Sequence, residues 1–136
     1  MDIRVEKLAG LIVSYSTGVR RGDRVLVQGS TLAEPLIKAL YTKVLQAGGH
    51  PFLLLHLPNT EEIFYKYASE EQLKHVPGPI ELIYETYDVR IVILAESNTR
   101  ALSHVDPVRI VTSQQARAGL MRTFMRRAAA GELRWT

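Results

Sequence analysis

Three short apolar runs, separated by stretches with helical periodicity, restrict what this chain can fold into. They are Arg24-Val25-Leu26-Val27-Gln28, then His50 to Leu57 with Phe52, Leu53, Leu54 and Leu55 in succession, then Val89 to Ala95. A run that is apolar at nearly every position suits a strand buried on both faces. Strands that alternate with helices imply βαβ crossovers and a parallel sheet. The expected architecture is α/β, in helix–sheet–helix layers around a small, mainly parallel sheet of the Rossmann or flavodoxin kind. The middle run is the clearest of the three and is expected at the centre of the sheet. Three strands make a small sheet, so the domain reads as an incomplete part of something larger.

The intervening helices carry their own punctuation. Residues 2–17 present Val5, Leu8, Leu11, Ile12 and Tyr15 at the spacing of one helix face, and Gly18 is placed to end that helix in a left-handed conformation. Thr31-Leu32-Ala33-Glu34 has the form of a capping box, with Pro35 tolerated in the first turn. It predicts a helix to about Ala47 with the stripe Leu36, Ile37, Leu40, Tyr41, Val44 and Leu45, stopped by Gly48-Gly49. Asn59 with Glu62 and Ser69 with Gln72 mark two further starts, and Pro79 opens a short helix through Tyr87. Asp106-Pro107 predicts an N-cap and first-turn proline for one last helix to about Ala130.

At 136 residues the chain is a single domain, residues 1–136, with 46% hydrophobic and 23% charged residues as in ordinary globular proteins. It has no cysteine, so disulfides, thiolate metal clusters and thiol nucleophiles are excluded. Charges interleave through Met1-Asp2-Ile3-Arg4-Val5-Glu6-Lys7, where a secretory signal would need ~7–15 uninterrupted apolar residues. No run approaches the ~20 apolar residues that span a bilayer. A cytoplasmic protein without a membrane partner is expected.

Each motif with residue types suited to chemistry has a structural explanation. Gln28-Gly29-Ser30-Thr31 sits where Rossmann-like folds bind phosphate, but Thr31 and Glu34 stand where the dinucleotide fingerprint needs its later glycines. Gly29 is read as easing a strand-to-helix turn and Ser30 or Thr31 as a helix cap. The histidines are His50, His56, His75 and His104. His50 and His56 share one strand but stand roughly 20 Å apart, too far to share a metal. His104 beside Asp106 decorates a helix start. Glu61-Glu62 and Glu70-Glu71 fall in first helical turns, where they favour the helix dipole. There is no Gly-x-Ser-x-Gly elbow. The net charge is +3, and from Asp106 onward six arginines (109, 117, 122, 126, 127, 134) face two acids. Projected on one continuous helix, the arginines scatter around the circumference, whereas phosphate tracking wants a stripe. Arg117 falls inside the apolar arc of Ile110, Leu120, Met121, Phe124 and Met125, so it is expected buried with a carboxylate partner. Read on residues alone, no catalytic, cofactor-binding or metal residue is assigned.

Five segments in order extend this reading. Val27-Gln28-Gly29-Ser30-Thr31-Leu32-Ala33-Glu34-Pro35-Leu36 resembles the first strand–helix unit of the thermophilic metalloaminopeptidases of the aminopeptidase T and S type. Ala47-Gly48-Gly49-His50-Pro51, Glu62 to Ala68, Ala95 to Ser103 and Gly131 to Trp135 are similar to successive stretches of the same family. The resemblance covers essentially the whole chain and implies the N-terminal domain of a peptide hydrolase acting on peptide N-termini. It implies two divalent ions (zinc, cobalt or manganese) in the longer parent enzyme, a catalytic C-terminal portion absent from this chain, and a homodimer. None of the family's metal-binding residues maps onto residues 1–136, so the chain alone is expected to be inactive. Its role would be packing, cavity-wall or dimerisation, with the last helix and Trp135 as the contact surface. Two other readings stand beside it. One is a small-molecule module using Gly29, Ser30, Thr31, Asn98 and Arg100 at the strand carboxyl ends. The other, ranked last, is nucleic-acid binding through the last helix, and no nucleic-acid partner is expected.

Overall fold

The computed structural model describes residues 2–94 and 102–136. Four strands form one sheet: β1 (Arg24–Ser30), β2 (His50–His56), β3 (Val89–Ile93) and β4 (Arg134–Trp135). Their order is β2-β1-β3-β4 and every pairing is parallel. The α/β expectation therefore holds, but the centre of the sheet lies elsewhere than expected. β1 has a neighbour on each side and buries Val25, Leu26 and Val27 completely. β2 lies at the edge, with Phe52 47% and Leu55 41% exposed. An unbroken apolar run has no polar face to mark it as peripheral, so its pattern is the same at either place. β4 is a strand the sequence pattern did not announce. Two residues are too few to show a period, and the strand exists because β3 offers it a partner.

One face of the sheet is covered by α1 (Ile3–Leu11), its π-helical continuation Ile12–Ser16, and α2 (Glu34–Gln46). Val25, Val27, Val89 and Ile91 meet Ala9, Val13, Ile37, Leu40 and Val44 there in the main core. Contrary to the expected stripe of the first helix, Leu8, Leu11 and Tyr15 are exposed while Ala9 and Val13 are buried. α1 packs on α2 through its small residues; a methyl added at Gly10 would already touch the Lys43 side chain. On α2, Tyr41 and Leu45 likewise turn outward from the expected stripe. The other face is covered by α5 (Gly78–Thr86) and α7 (Ala118–Ala129), with Ile83, Phe124 and Leu133 around Leu26. The remaining helices are α3 (Thr60–Tyr67), α4 (Glu70–Lys74) and α6 (Pro107–Ala116), with α4 packing on α6.

Local signals were mostly obeyed. Ser69 and Gln72 form a reciprocal capping box, with bonds of 3.1 and 2.8 Å. Asp106 accepts from the Val108 amide at 3.0 Å ahead of Pro107. Gly18 has φ +55°, the left-handed end expected of the first helix. The cap before α2 differs. Ser30, not Thr31, accepts from the Leu32 amide at 3.2 Å, because a 3-10 turn over Thr31–Ala33 precedes the helix. Glu34 is left to pair with Lys38 at 2.9 Å instead of closing a box, and the Lys38 hydrogen bond and charge hold its carboxyl below the usual value. Asn59 lies at φ +69° and makes no side-chain cap; the Thr60 hydroxyl instead donates to the Leu57 carbonyl. The single last helix is in fact two. Arg117 adopts φ −91°, ψ 0°, and its amide is shared between the Ser113 and Gln114 carbonyls, so the regular α-helical ladder is interrupted between α6 and α7.

Candidate functional site

The sheet order reverses between β1 and β3, since β1 connects to β2 on one side while β3 lies on the other. Open α/β sheets take ligands beyond the carboxyl ends of the strands at such a switch point. Gly29 and Ser30 end β1 there and Thr31 follows them. The first two are already used by the fold. A Cβ at Gly29 would stand 3.2 Å from both the Ile93 Cβ and its carbonyl oxygen, so the glycine serves the close approach of β1 to β3. Ser30 is buried and caps the following turn. Asn98 and Arg100, proposed for the opposite wall, lie outside the described residues.

The histidines are not brought together. His50 and His56 stand at opposite ends of β2, aligned with Arg24 and Ser30 of β1. His75 follows the end of α4. His104 lies beside a cavity of about 480 Å³ with Glu62, Tyr65, Lys66, Asp106 and Arg109. Asp106 and Arg109 are occupied in this cavity, the first capping α6 and the second bonded to the carbonyls of Tyr65 and Ala68. Glu61, Glu62, Glu70 and Glu71 occupy first helical turns as expected, with Glu70 paired to Lys74 at 3.2 Å. Among the described residues no three of His, Cys, Asp and Glu converge closely enough to hold a metal ion. The side chains described here do not fit a divalent-metal centre.

What the structure does assemble is a set of arginine caps. The Arg127 guanidinium donates from α7 to the Tyr84 and Tyr87 carbonyls at 2.9 and 2.7 Å, at the end of α5. Arg109 does the same from α6 for the end of α3. Arg134 of β4 donates to the Thr17 and Gly18 carbonyls after the first helix and pairs with Asp23 at 2.6 Å. The last carbonyls of a helix lack intrahelical donors and carry the negative end of its dipole, so a cationic fork suits them. Arg127, not Arg117, is the buried arginine of the last segment, and its main partners are carbonyls rather than a carboxylate. Arg117 is exposed at the break between helices. Projection along one uninterrupted helix placed these residues wrongly because the break resets the angular phase.

A sequence model described as thermophilic metalloprotease (M29) matches residues 1–136, the whole chain. The chain belongs to that family. The M29 domain seen here is also similar in fold to wild-type AmpT from Thermus thermophilus, with a TM-score of 0.81 at 19% identity. That similarity covers 98% of this chain and 35% of the AmpT chain, so the M29 chain described here spans about a third of the relative's length. No curated protein matches it. No described helix is long and apolar enough to cross a membrane.

Proposed function

We propose that residues 1–136 are the N-terminal, non-catalytic domain of a metal-dependent aminopeptidase that removes amino acids from peptide N-termini. One observation carries this reading: an M29 fold that corresponds to 35% of a longer relative brings no metal-holding cluster together among its described residues. The two divalent ions and the peptide would then be held by a catalytic portion, and this domain would pack against it, wall part of its cavity or join a homodimer in the cytoplasm. The unpaired apolar faces support a packing role. Leu8 and Leu11 on α1, Tyr15 on its π-helical continuation, and Met121 and Met125 on α7 are exposed, and Trp135 remains 57% exposed although it stacks edge-on against Phe124 at 5.6 Å.

Homogeneous 1–136 chain, supplied with zinc, cobalt or manganese, is expected to show no turnover of aminoacyl chromogenic substrates above the metal-only blank. Turnover that co-elutes with the chain and disappears on chelation would overturn the reading.

A further inference from the structure

Arg109 and Arg127 are consumed as helix caps, but Arg117, Arg122 and Arg126 are exposed and pair with no carboxylate among the described residues. No Asp or Glu occurs between Asp106 and Glu132, so the segment supplies no counter-charge of its own. On α7, Arg122 and Arg126 stand one turn apart beside Met121 and Met125, which are also one turn apart and are 51% and 60% exposed. Arg117 closes the N-terminal end. With Gln114 and Ala118, four of these residues (Arg117, Met121, Arg122, Met125) line an open concavity of about 660 Å³. The floor is apolar and the rim is positive.

The two properties together select the occupant. Methionine packs against apolar side chains of irregular shape, so the floor calls for an apolar cover. A second copy placed symmetrically on this face would bring arginines against arginines, which opposes self-association there. A nucleic-acid backbone would satisfy the rim but leave the methionines without apolar partners. We propose that this face docks an acidic amphipathic helix from the remainder of the same polypeptide, its apolar stripe on Met121 and Met125 and its carboxylates on Arg117, Arg122 and Arg126. The proposal rests on the domain reading above and names the chemistry of its contact.

A labelled Leu/Glu amphipathic peptide of about five helical turns is the probe, with a charge-inverted Leu/Lys peptide and a single-stranded oligonucleotide of similar length as competitors. By fluorescence anisotropy at ~0.15 M salt, the acidic peptide is expected to bind the 1–136 chain with a Kd on the order of 10 µM, weakening as salt is raised. The double variants Arg122→Glu/Arg126→Glu and Met121→Ser/Met125→Ser should each weaken it at least ~10-fold. All four positions are exposed, and an unchanged melting midpoint shows that the fold is kept. Failure of the acidic peptide to bind, equal binding of the basic peptide, or tighter binding of the oligonucleotide would each overturn the docking proposal. So would self-association that the methionine variant abolishes. An inactive chain that ignores the acidic peptide removes the docking alone. A chain that hydrolyses peptides by itself removes the domain reading, and with it the source assigned to the helix.

Discussion

Replacing Arg127 by alanine is expected to destabilise the chain by about 3 kcal/mol, the largest loss for any single charged residue among the described residues. The residue is 7% exposed, and its guanidinium holds the Tyr84 and Tyr87 carbonyls at 2.9 and 2.7 Å. Without it, the end of α5 loses two donors and the cation that faces its dipole. Each buried acceptor left unpaired costs about 1–3 kcal/mol. The Glu132 carboxylate, 3.5 Å from Nε, adds little because its side chain is 61% exposed. Arg127→Lys keeps the charge but gives up the planar array in which Nη1 serves the two carbonyls while Nη2 and Nε face Glu132, so an intermediate loss is expected. Urea unfolding of the three proteins measures this. A loss under ~1 kcal/mol for alanine, as for a surface arginine, would show that the caps are incidental.

Leu40→Ala should cost about 2–5 kcal/mol, and Leu45→Ala on the same helix well under ~1 kcal/mol. Leu40 is fully buried in the cluster between α2 and the sheet, where deletion leaves a cavity that β1 and α1 cannot fill. Leu45 is 53% exposed and loses only partial cover. The contrast also tests the layer assignment, since the two leucines occupy one stripe when the helix is read from sequence alone. Equal losses at both positions would mean that α2 is rotated from the orientation described.

That pair shows what was legible and what was not. Helical periodicity identifies a stripe but not which edge of it meets the sheet, because the answer depends on a neighbouring helix. The same holds for α1, where close packing against α2 selects Ala9 over the larger Leu8 and Leu11. Caps such as Ser69 with Gln72, and Asp106 before Pro107, were readable because both partners lie within four residues. The break at Arg117 was not, because no proline marks it, and α6 and α7 pack on different partners, α4 and α5, that are distant in sequence. Strands β1 and β3 announced themselves by their apolar runs. The edge position of β2 and the existence of β4 depend on pairing between distant segments. At the candidate crevice, Ser30 was legible as a cap residue, whereas Gly29, expected to ease a turn, instead lies in β1 and serves its close approach to β3. The three arginine caps escaped because each reaches a carbonyl more than 40 residues away in sequence, as with Arg109 and Tyr65 at |i−j| = 44. An arginine on the apolar side of a helix is the signal that points to such a cap, once the helix is correctly divided.

In the function proposed above, this M29 domain leaves metal chemistry to another part of the enzyme. Titration calorimetry of the homogeneous 1–136 chain with zinc, cobalt and manganese tests it most directly. A divalent-metal site needs three or more converging protein ligands, and none converge among the described residues, so no saturable, stoichiometric uptake of any of the three ions is expected. One or two equivalents bound with a Kd below ~10 µM, lost on substituting His or carboxylate residues of this chain, would contradict it.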